Sequence, residues 1–262
     1  FFRDKIMRAR VVPVLLIDDG GLVKSVEFGK YNYIGDPMNA IRLYNEMEVD
    51  ELVILDISAS KKNRAPDFEM IEELASNAFM PLGYGGGISS IDDIKKLFYS
   101  GVEKVIINNQ LLSNKSFIKE AAKLHGKQSI VGSVDIKKNF FGSYKVYDHV
   151  KNKTLDIDYV DFVKDLEGLG IGELFVNDVL NDGKMKGYDI KLIDRLHDSV
   201  SIPVVFCGGA GKLADIKKAI DSGAHAAAAG SIFIYKSKAQ GVLINYPTQE
   251  ELYKLLGRSV AV

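Results

Sequence analysis

The sequence predicts an α/β protein, a single (β/α)8 barrel with half-barrel internal duplication. Three observations predict it. The first is a repeat. Residues 80–109 read MPLGYGGGISSIDDIKKLFYSGVEKVIINN and residues 202–231 read IPVVFCGGAGKLADIKKAIDSGAHAAAAGS, at a constant offset of 122 without a gap. Nine of the 22 positions from Met80 to Gly101 are identical, among them Pro81/Pro203, Gly86/Gly208, Gly87/Gly209 and Gly101/Gly223. The same offset lays DELVILD (50–56) on GELFVND (172–178). A period of about half the chain marks a duplicated half-domain and not a solenoid of short units. The second observation is an eightfold alternation of short apolar runs with helical patterns, which argues for a parallel sheet. The third is that these runs are apolar throughout, as strands covered by helices should be. Eight such units in 262 residues suit one closed barrel.

In chain order, strand one spans 10–17. Asp18, Asp19, Gly20 and Gly21 turn it, and 22–28 reads as a small hairpin above the barrel. Asp36 caps and Pro37 opens a helix reaching about Glu48. Strand two (51–55) leads to Asp56 and a polar loop, then a helix over 66–76. Strand three (81–84) passes through Gly85–Gly87 into a helix over 90–99, and strand four (103–107) ends in Asn108 and Asn109. A helix over 115–124 follows. Strand five (129–134) places Asp135 just past its end. Alternation of Tyr144 and Val146 with Lys145 and Tyr147 marks an inserted hairpin near 137–155. Next come a helix over 158–169, strand six (173–177) and a long loop over 178–188 with two glycines. The series closes with a helix over 189–197, strand seven (203–206), a helix over 212–222, strand eight (226–229) and a last helix over 248–256. All of 1–262 reads as one domain, with half-barrels at roughly 8–127 and 128–240. Met70, Phe98 and Phe162 lie at helical spacing and read as core.

The bulk numbers exclude several classes. A formal net charge of −1, with 34 basic residues scattered, gives no pull toward nucleic acid or a membrane surface. Cys207 is the only cysteine, so an intrachain disulfide is impossible and a reducing compartment is expected. No apolar run approaches the ~18–20 residues of a membrane span, and FFRDKIMRAR lacks the apolar stretch of a signal peptide. The expectation is a cytoplasmic protein with no cofactor and no metal.

In such a barrel the reactive face carries the residues just after the strands. Here these are 16–20, Asp56, Gly85–Gly87, Asn108, Asn109, Asp135, 177–183, 208–211, Gly230 and Ser231. Glycines after a strand let backbone N–H groups approach an anion, and a helix N-terminus adds the positive end of its dipole. Two such loops in register suggest two phosphate sites facing each other across the mouth; tight turning alone is the bland reading. Asp135 then falls near the middle and is the candidate general acid/base, against the plainer reading of a turn aspartate. Laying VGSVDIKK (131–138) on VPVLLIDD (12–19) puts Leu16 opposite Asp135, so one half lacks the carboxylate. At the other end, Arg10, Glu51, Lys104 and Glu173 sit at strand starts and can form a salt-bridge ring. The bland reading there is stability, the usual meaning of that face.

The set ELVILDI, YGGGI, VEKVIIN, SVDIKK, NDGKMKGYD and GGAGK, in this order, resembles the cyclase subunit of imidazole glycerol phosphate synthase over nearly the whole chain. The resemblance implies a lyase on a duplicated barrel. It takes ammonia from a glutaminase subunit on the barrel floor and uses it on a bisphosphorylated aminoimidazole ribonucleotide. By resemblance, Gly87, Asn108 and Asn109 match one phosphate site, and Asp182, Gly183, Gly209 and Ser231 the other. Asp135 matches one of two catalytic aspartates, and the second falls on Leu16. Arg10, Glu51, Lys104 and Glu173 match the ammonia gate. Leu16 and, more weakly, VLINYP (242–247) also resemble a branch of cyclase-like paralogues in surface-polysaccharide clusters. That branch implies ammonia supply to a sugar amidotransferase with weak or no cyclase activity. A third reading is a phosphate-binding barrel without catalysis, which leaves the floor charges unexplained.

Overall fold

The computed structural model describes residues 9–29, 31–235 and 241–257. The opening stretch before Ala9 and the segment 236–240 at the end of the second half-barrel lie outside the described residues, as do the last five positions of the expected domain. The strands are β1 (Arg10–Asp18), β2 (Gly21–Lys24), β3 (Asn32–Gly35), β4 (Leu52–Asp56), β5 (Leu82–Gly85), β6 (Lys104–Ile107), β7 (Ile130–Lys138), β8 (Tyr144–Asp148), β9 (Lys153–Thr154), β10 (Glu173–Asp178), β11 (Val204–Cys207) and β12 (Ala226–Ala229). The helices are α1 (Pro37–Glu46), α2 (Phe68–Asn77), α3 (Ile91–Tyr99), α4 (Asn109–Ser113), α5 (Lys115–His125), α6 (Tyr159–Leu169), α7 (Ile190–His197), α8 (Leu213–Asp221), α9 (Ser231–Ile234) and α10 (Gln249–Leu256).

Eight of the strands close a parallel barrel in the order β1, β4, β5, β6, β7, β10, β11, β12, with β12 returning to β1. The (β/α)8 expectation is met. Most of the longer helices start where a side chain satisfies orphan N–H groups. Asp36 accepts from Asn39 N at 3.0 Å, with Pro37 next in line as expected. The helix read from position 66 starts instead at Phe68, because Asp67 accepts from Met70 N at 3.1 Å and sets the boundary.

Three other boundaries differ from the sequence reading. The hairpin expected over 22–28 is formed by β2 and β3. Glu27 and Phe28, at φ 53° and 57°, lie in the loop between them, a left-handed conformation that cannot continue a strand. Strand five runs on to Lys138, so Asp135 lies inside β7 and not beyond it. It continues because β8 pairs with its last residues, Ile136 to Lys138. The short helices α4 and α9 were not foreseen.

Apolar packing falls into two layers. A large cluster fills the space between barrel and helices, with Leu15, Ile17, Ile54, Leu74, Ile94, Leu174 and Leu192 all buried. A separate one fills the barrel: Val12, Val14, Val53, Ile106, Val131, Phe175, Val205, Cys207, Ala226 and Ala228, with Leu16 and Leu55 packed on it. This interior plug separates a charged floor from a polar mouth.

Candidate functional site

The two glycine loops are geometric copies. Gly86 (φ +121°) and Gly208 (φ +107°) each press on the end of the strand beside their own, β4 and β10. A Cβ on Gly86 would lie 2.3 Å from the Asp56 carbonyl oxygen, and one on Gly208 would lie 2.7 Å from that of Asp178. Only glycine fits this combination of dihedral and contact. The helix after each loop is closed by its own aspartate. Asp93 accepts from Ser89 N and Ser90 N at 3.0 and 2.9 Å; Asp215 accepts from Gly211 N and Lys212 N at 3.0 and 3.1 Å. The dipole ends of α3 and α8 are therefore already occupied by carboxylates. Gly87 N donates to Ser60 Oγ at 3.3 Å, and the backbone donors left for an anion belong chiefly to the first turns of α4 and α9. These follow Asn108 and Gly230, and no side chain caps them.

An open cavity occupies the mouth. It brings together Gly85–Gly87, Asn108, Asn109, Asp135, Asp182 and Gly230 from the expected set. Gly183 and Ser231 line a smaller adjoining recess with Ser25, Asn32 and Tyr235. Gly209 lines neither; its carbonyl accepts from Gly187 N at 2.8 Å and ties the loops together. Asp182 accepts from Ser25 Oγ at 3.1 Å, which fastens the β2–β3 loop to the 178–188 loop.

Two cavity residues escaped the sequence reading. Lys24 lines both spaces, is only 5% exposed and forms no ion pair among the described residues. Its Nζ lies against Gly230, where an added Cβ would meet it at 2.2 Å. A buried lysine without a carboxylate is costly unless an anion arrives. His149, from the turn between β8 and β9, lies 2.9 Å through Nδ1 from Asp135 Oδ2. Lys24 was hidden in a strand read as a plain hairpin, and His149 in an insertion with no counterpart in the repeat.

Asp135 is 3% exposed and fully surrounded by donors. Asn108 Nδ2 donates to Oδ2 at 3.1 Å, and Asn177 Nδ2 donates to Oδ1 at 2.8 Å. The strand register identifies its counterpart. Asp135 stands beside Asn177 across β7 and β10, and Leu16 stands beside Leu55 across β1 and β4. Leu55 and Asn177 are themselves 122 apart. Leu16 therefore occupies the equivalent place, and both Leu16 and Leu55 line the cavity. Neither nearby aspartate replaces the missing carboxylate there. Asp19 is drawn outward by Lys62 at 2.5 Å, whose hydrogen bond holds its carboxyl below the usual range, and Asp18 lies 3.5 Å from the same ammonium. The other buried carboxylate of the cavity lining, Asp56, accepts from Ser58 N, Ala59 N and Arg64.

The floor carries a closed ring of alternating charge. Arg10 bonds both Glu51 and Glu173. Lys104 bonds Glu51 at 2.9 Å and Glu173 at 3.1 Å. Burial pulls the Arg10 guanidinium down, but Glu173 and Glu51 more than offset this and hold it above its ordinary value. Every member has partners of opposite sign, as buried charges require.

Comparison with known proteins places these features in context. A family model described as "Histidine biosynthesis protein" matches residues 10–240. A Pseudomonas aeruginosa protein with the provisional name imidazole glycerol phosphate synthase subunit hisF2 is 43% identical over 247 residues, 94% of this chain and 98% of its own length. A Vibrio vulnificus protein provisionally named subunit hisF3 is 42% identical over 254 residues, 96% of this chain and 98% of its own. Imidazole glycerol phosphate synthase subunit HisF of Petrotoga mobilis is 38% identical over 227 residues, 86% of this chain and 90% of its own.

Proposed function

The chain belongs to the histidine biosynthesis protein family, and we propose that it is a cyclase-type subunit of imidazole glycerol phosphate synthase, a lyase fed with ammonia by a glutaminase subunit. One observation carries the reading: a closed charge ring at one end of the barrel axis and a polar cavity at the other, joined by an apolar interior. The glutaminase docks on the face bearing Arg10, Glu51, Lys104 and Glu173. The interior lined by Val12, Val53, Phe175, Ala226 and Ala228 favours neutral ammonia, because an ammonium ion in such surroundings is costly. Lys104 has the flexible four-carbon stem that lets one ring member swing aside.

At the mouth the substrate lies between two anion sites. One phosphate meets Gly87, Asn108 and Asn109; the other meets Gly183, Gly209 and Ser231, with Asp182 fastening the loop and Lys24 supplying charge. Asp135, between them, belongs to the proton-transfer machinery. The test is glutamine-dependent consumption of the bisphosphorylated aminoimidazole ribonucleotide by the chain together with its glutaminase. Lys104→Ala should uncouple glutamine hydrolysis from consumption. A glutaminase found docked at the mouth would end this reading.

The Leu16–Leu55 wall favours a second reading, in which the same ammonia route serves a sugar amidotransferase of surface-polysaccharide synthesis. With free ammonia supplied, turnover of roughly 1 s⁻¹ or more would support the cyclase. Turnover about 10²–10⁴ lower, the value of one placed acid/base group, would support the second reading. No described helix is long and apolar enough to cross a membrane.

A further inference from the structure

We propose that His149 is the catalytic acid/base of this site, with Asp135 as the residue that orients it. The proposal rests on the reading above that ammonia reacts at the mouth. The insertion that interrupts the strand–helix rhythm has a product: it carries His149 back over the cavity. Its turn is fixed locally. Asp148 Oδ1 accepts from Val150 N at 3.0 Å and Lys151 N at 2.9 Å, and Tyr147 bonds the Asn152 side chain. The ring is thereby held at Asp135, and its side chain is 20% exposed within the cavity lining.

Three donors converge on the Asp135 carboxylate: Asn108, Asn177 and His149. The two amides already serve one oxygen each, so the imidazole is not needed to satisfy it. A carboxylate only accepts, so in the neutral ring Nδ1 carries the proton and Nε2 presents a bare lone pair. Nε2 makes no hydrogen bond among the described residues. An oriented histidine backed by a buried carboxylate is the arrangement of a general base with its orienter. The other charged groups lining the cavity are spoken for or distant in role: Asp56 pairs with Arg64, Asp182 holds Ser25, Lys24 faces Gly230, and Lys61 bonds Tyr31 at 3.0 Å. On its own turn, Asp148 pairs with Lys151. This would explain how the site works with leucine on the opposite wall.

The step is addition of ammonia to a carbonyl carbon of the phosphorylated substrate. The nitrogen lone pair forms the N–C bond and the C=O π pair moves to oxygen. Nε2 takes a proton from the new ammonium nitrogen and delivers it to that oxygen, leaving a carbinolamine. A second pass takes another N–H proton and protonates the hydroxyl, which leaves as water while C=N forms. Carbonyl plus ammonia becomes imine plus water, with the imidazole unchanged.

Two measurements decide it. Nitrogen-15 NMR of the histidines in the full-length chain, assigned with His149→Gln, reports where the neutral ring keeps its proton. We expect Nδ1 protonated and Nε2 bare, with this preference lost in Asp135→Asn. An Nε2–H ring overturns the proposal, whatever the activity. Ammonia-supplied turnover of the bisphosphorylated ribonucleotide is then followed across pH. His149→Gln should lower kcat by about 10²–10⁴ with little change in KM and remove one limb of the pH profile; imidazole should restore part of the rate in His149→Ala. Turnover of His149→Gln within threefold of the unmodified chain, or an unchanged pH profile, overturns it. Absence of turnover in the unmodified chain sinks the ribonucleotide reading instead, and the NMR result then judges the dyad alone.

Discussion

The two halves of the barrel share a backbone and differ at the point where chemistry would occur. In the second half the wall made by β7 and β10 is Asp135 beside Asn177; in the first, β1 and β4 place Leu16 beside Leu55 at the same register. The glycine loops, their contacts with Asp56 and Asp178, and the helix-closing Asp93 and Asp215 repeat faithfully. The floor is intermediate. Glu51 and Glu173 are repeat equivalents, whereas their cationic partners, Arg10 and Lys104, are not. Features that hold the backbone persist in both halves. Side chains that face the cavity have diverged, because the pleat lets them change without disturbing the strand.

The largest expected effect breaks the comparison by making both walls neutral. Asp135→Asn should lower ammonia-dependent turnover about 10²–10⁴-fold, roughly 3–5.5 kcal/mol of barrel-mouth transition-state stabilisation. Steady-state assays with free ammonia check it, and an effect below tenfold would show that the polar wall is only structural. Next comes Cys207, whose counterpart in the first half is Gly85. Burial pushes its thiol up to about 12, so at pH 8 the native thiolate is scarce compared with an unfolded cysteine near 8.5. Alkylation in the native chain should be slower by about a thousandfold, as mass spectrometry of quenched samples would reveal. The sign of the linkage follows: this thiol favours the fold below about pH 8.5, and the contribution is lost as pH rises toward about 12.

Smaller still is a paired test of the loops. Gly86→Ala and Gly208→Ala force a Cβ against a carbonyl in the same left-handed conformation. Each should cost about 1–3 kcal/mol, and the two values should agree within about 1 kcal/mol. Urea midpoints at constant slope would measure this; a large inequality would mean that the halves differ in backbone as well as in side chains.

Legibility in the sequence follows the same division. The barrel and its duplication were readable because a gapless repeat carries register; the Leu16 for Asp135 exchange was readable because strand five, 131–138, could be laid on strand one, 12–19, at its own offset. The four floor charges were readable because strand starts were. What escaped were residues brought in by segments outside the repeat. His149 comes from an insertion whose length says nothing of where its turn lands. Lys24 belongs to a four-residue strand, and its burial depends on the loop tied down by Asp182. The helices α4 and α9 are too short to show a period, although the offset of 122 relates them.

The subtlest prediction sharpens the comparison by rebuilding the first wall as a copy of the second. Leu16→Asp alone places a carboxylate against Leu55 and the apolar interior, and should cost about 1–3 kcal/mol of stability. Leu55→Asn alone should cost a similar amount, since its amide also lacks a partner. Together the changes recreate the pair that Asn177 and Asp135 make at 2.8 Å, because the backbone register is already the same. The double variant should therefore be less destabilised than the sum of the singles, by about 0.5–3 kcal/mol. A thermodynamic cycle on denaturant unfolding measures that coupling directly. Simple additivity would mean that strand register alone does not position the wall, and that neighbours such as Asn108, which donates to Asp135 at 3.1 Å, are required. If the coupling is present, any rise in turnover of the double variant over the unmodified chain reports what the second carboxylate is worth in a site where the first wall has lost it.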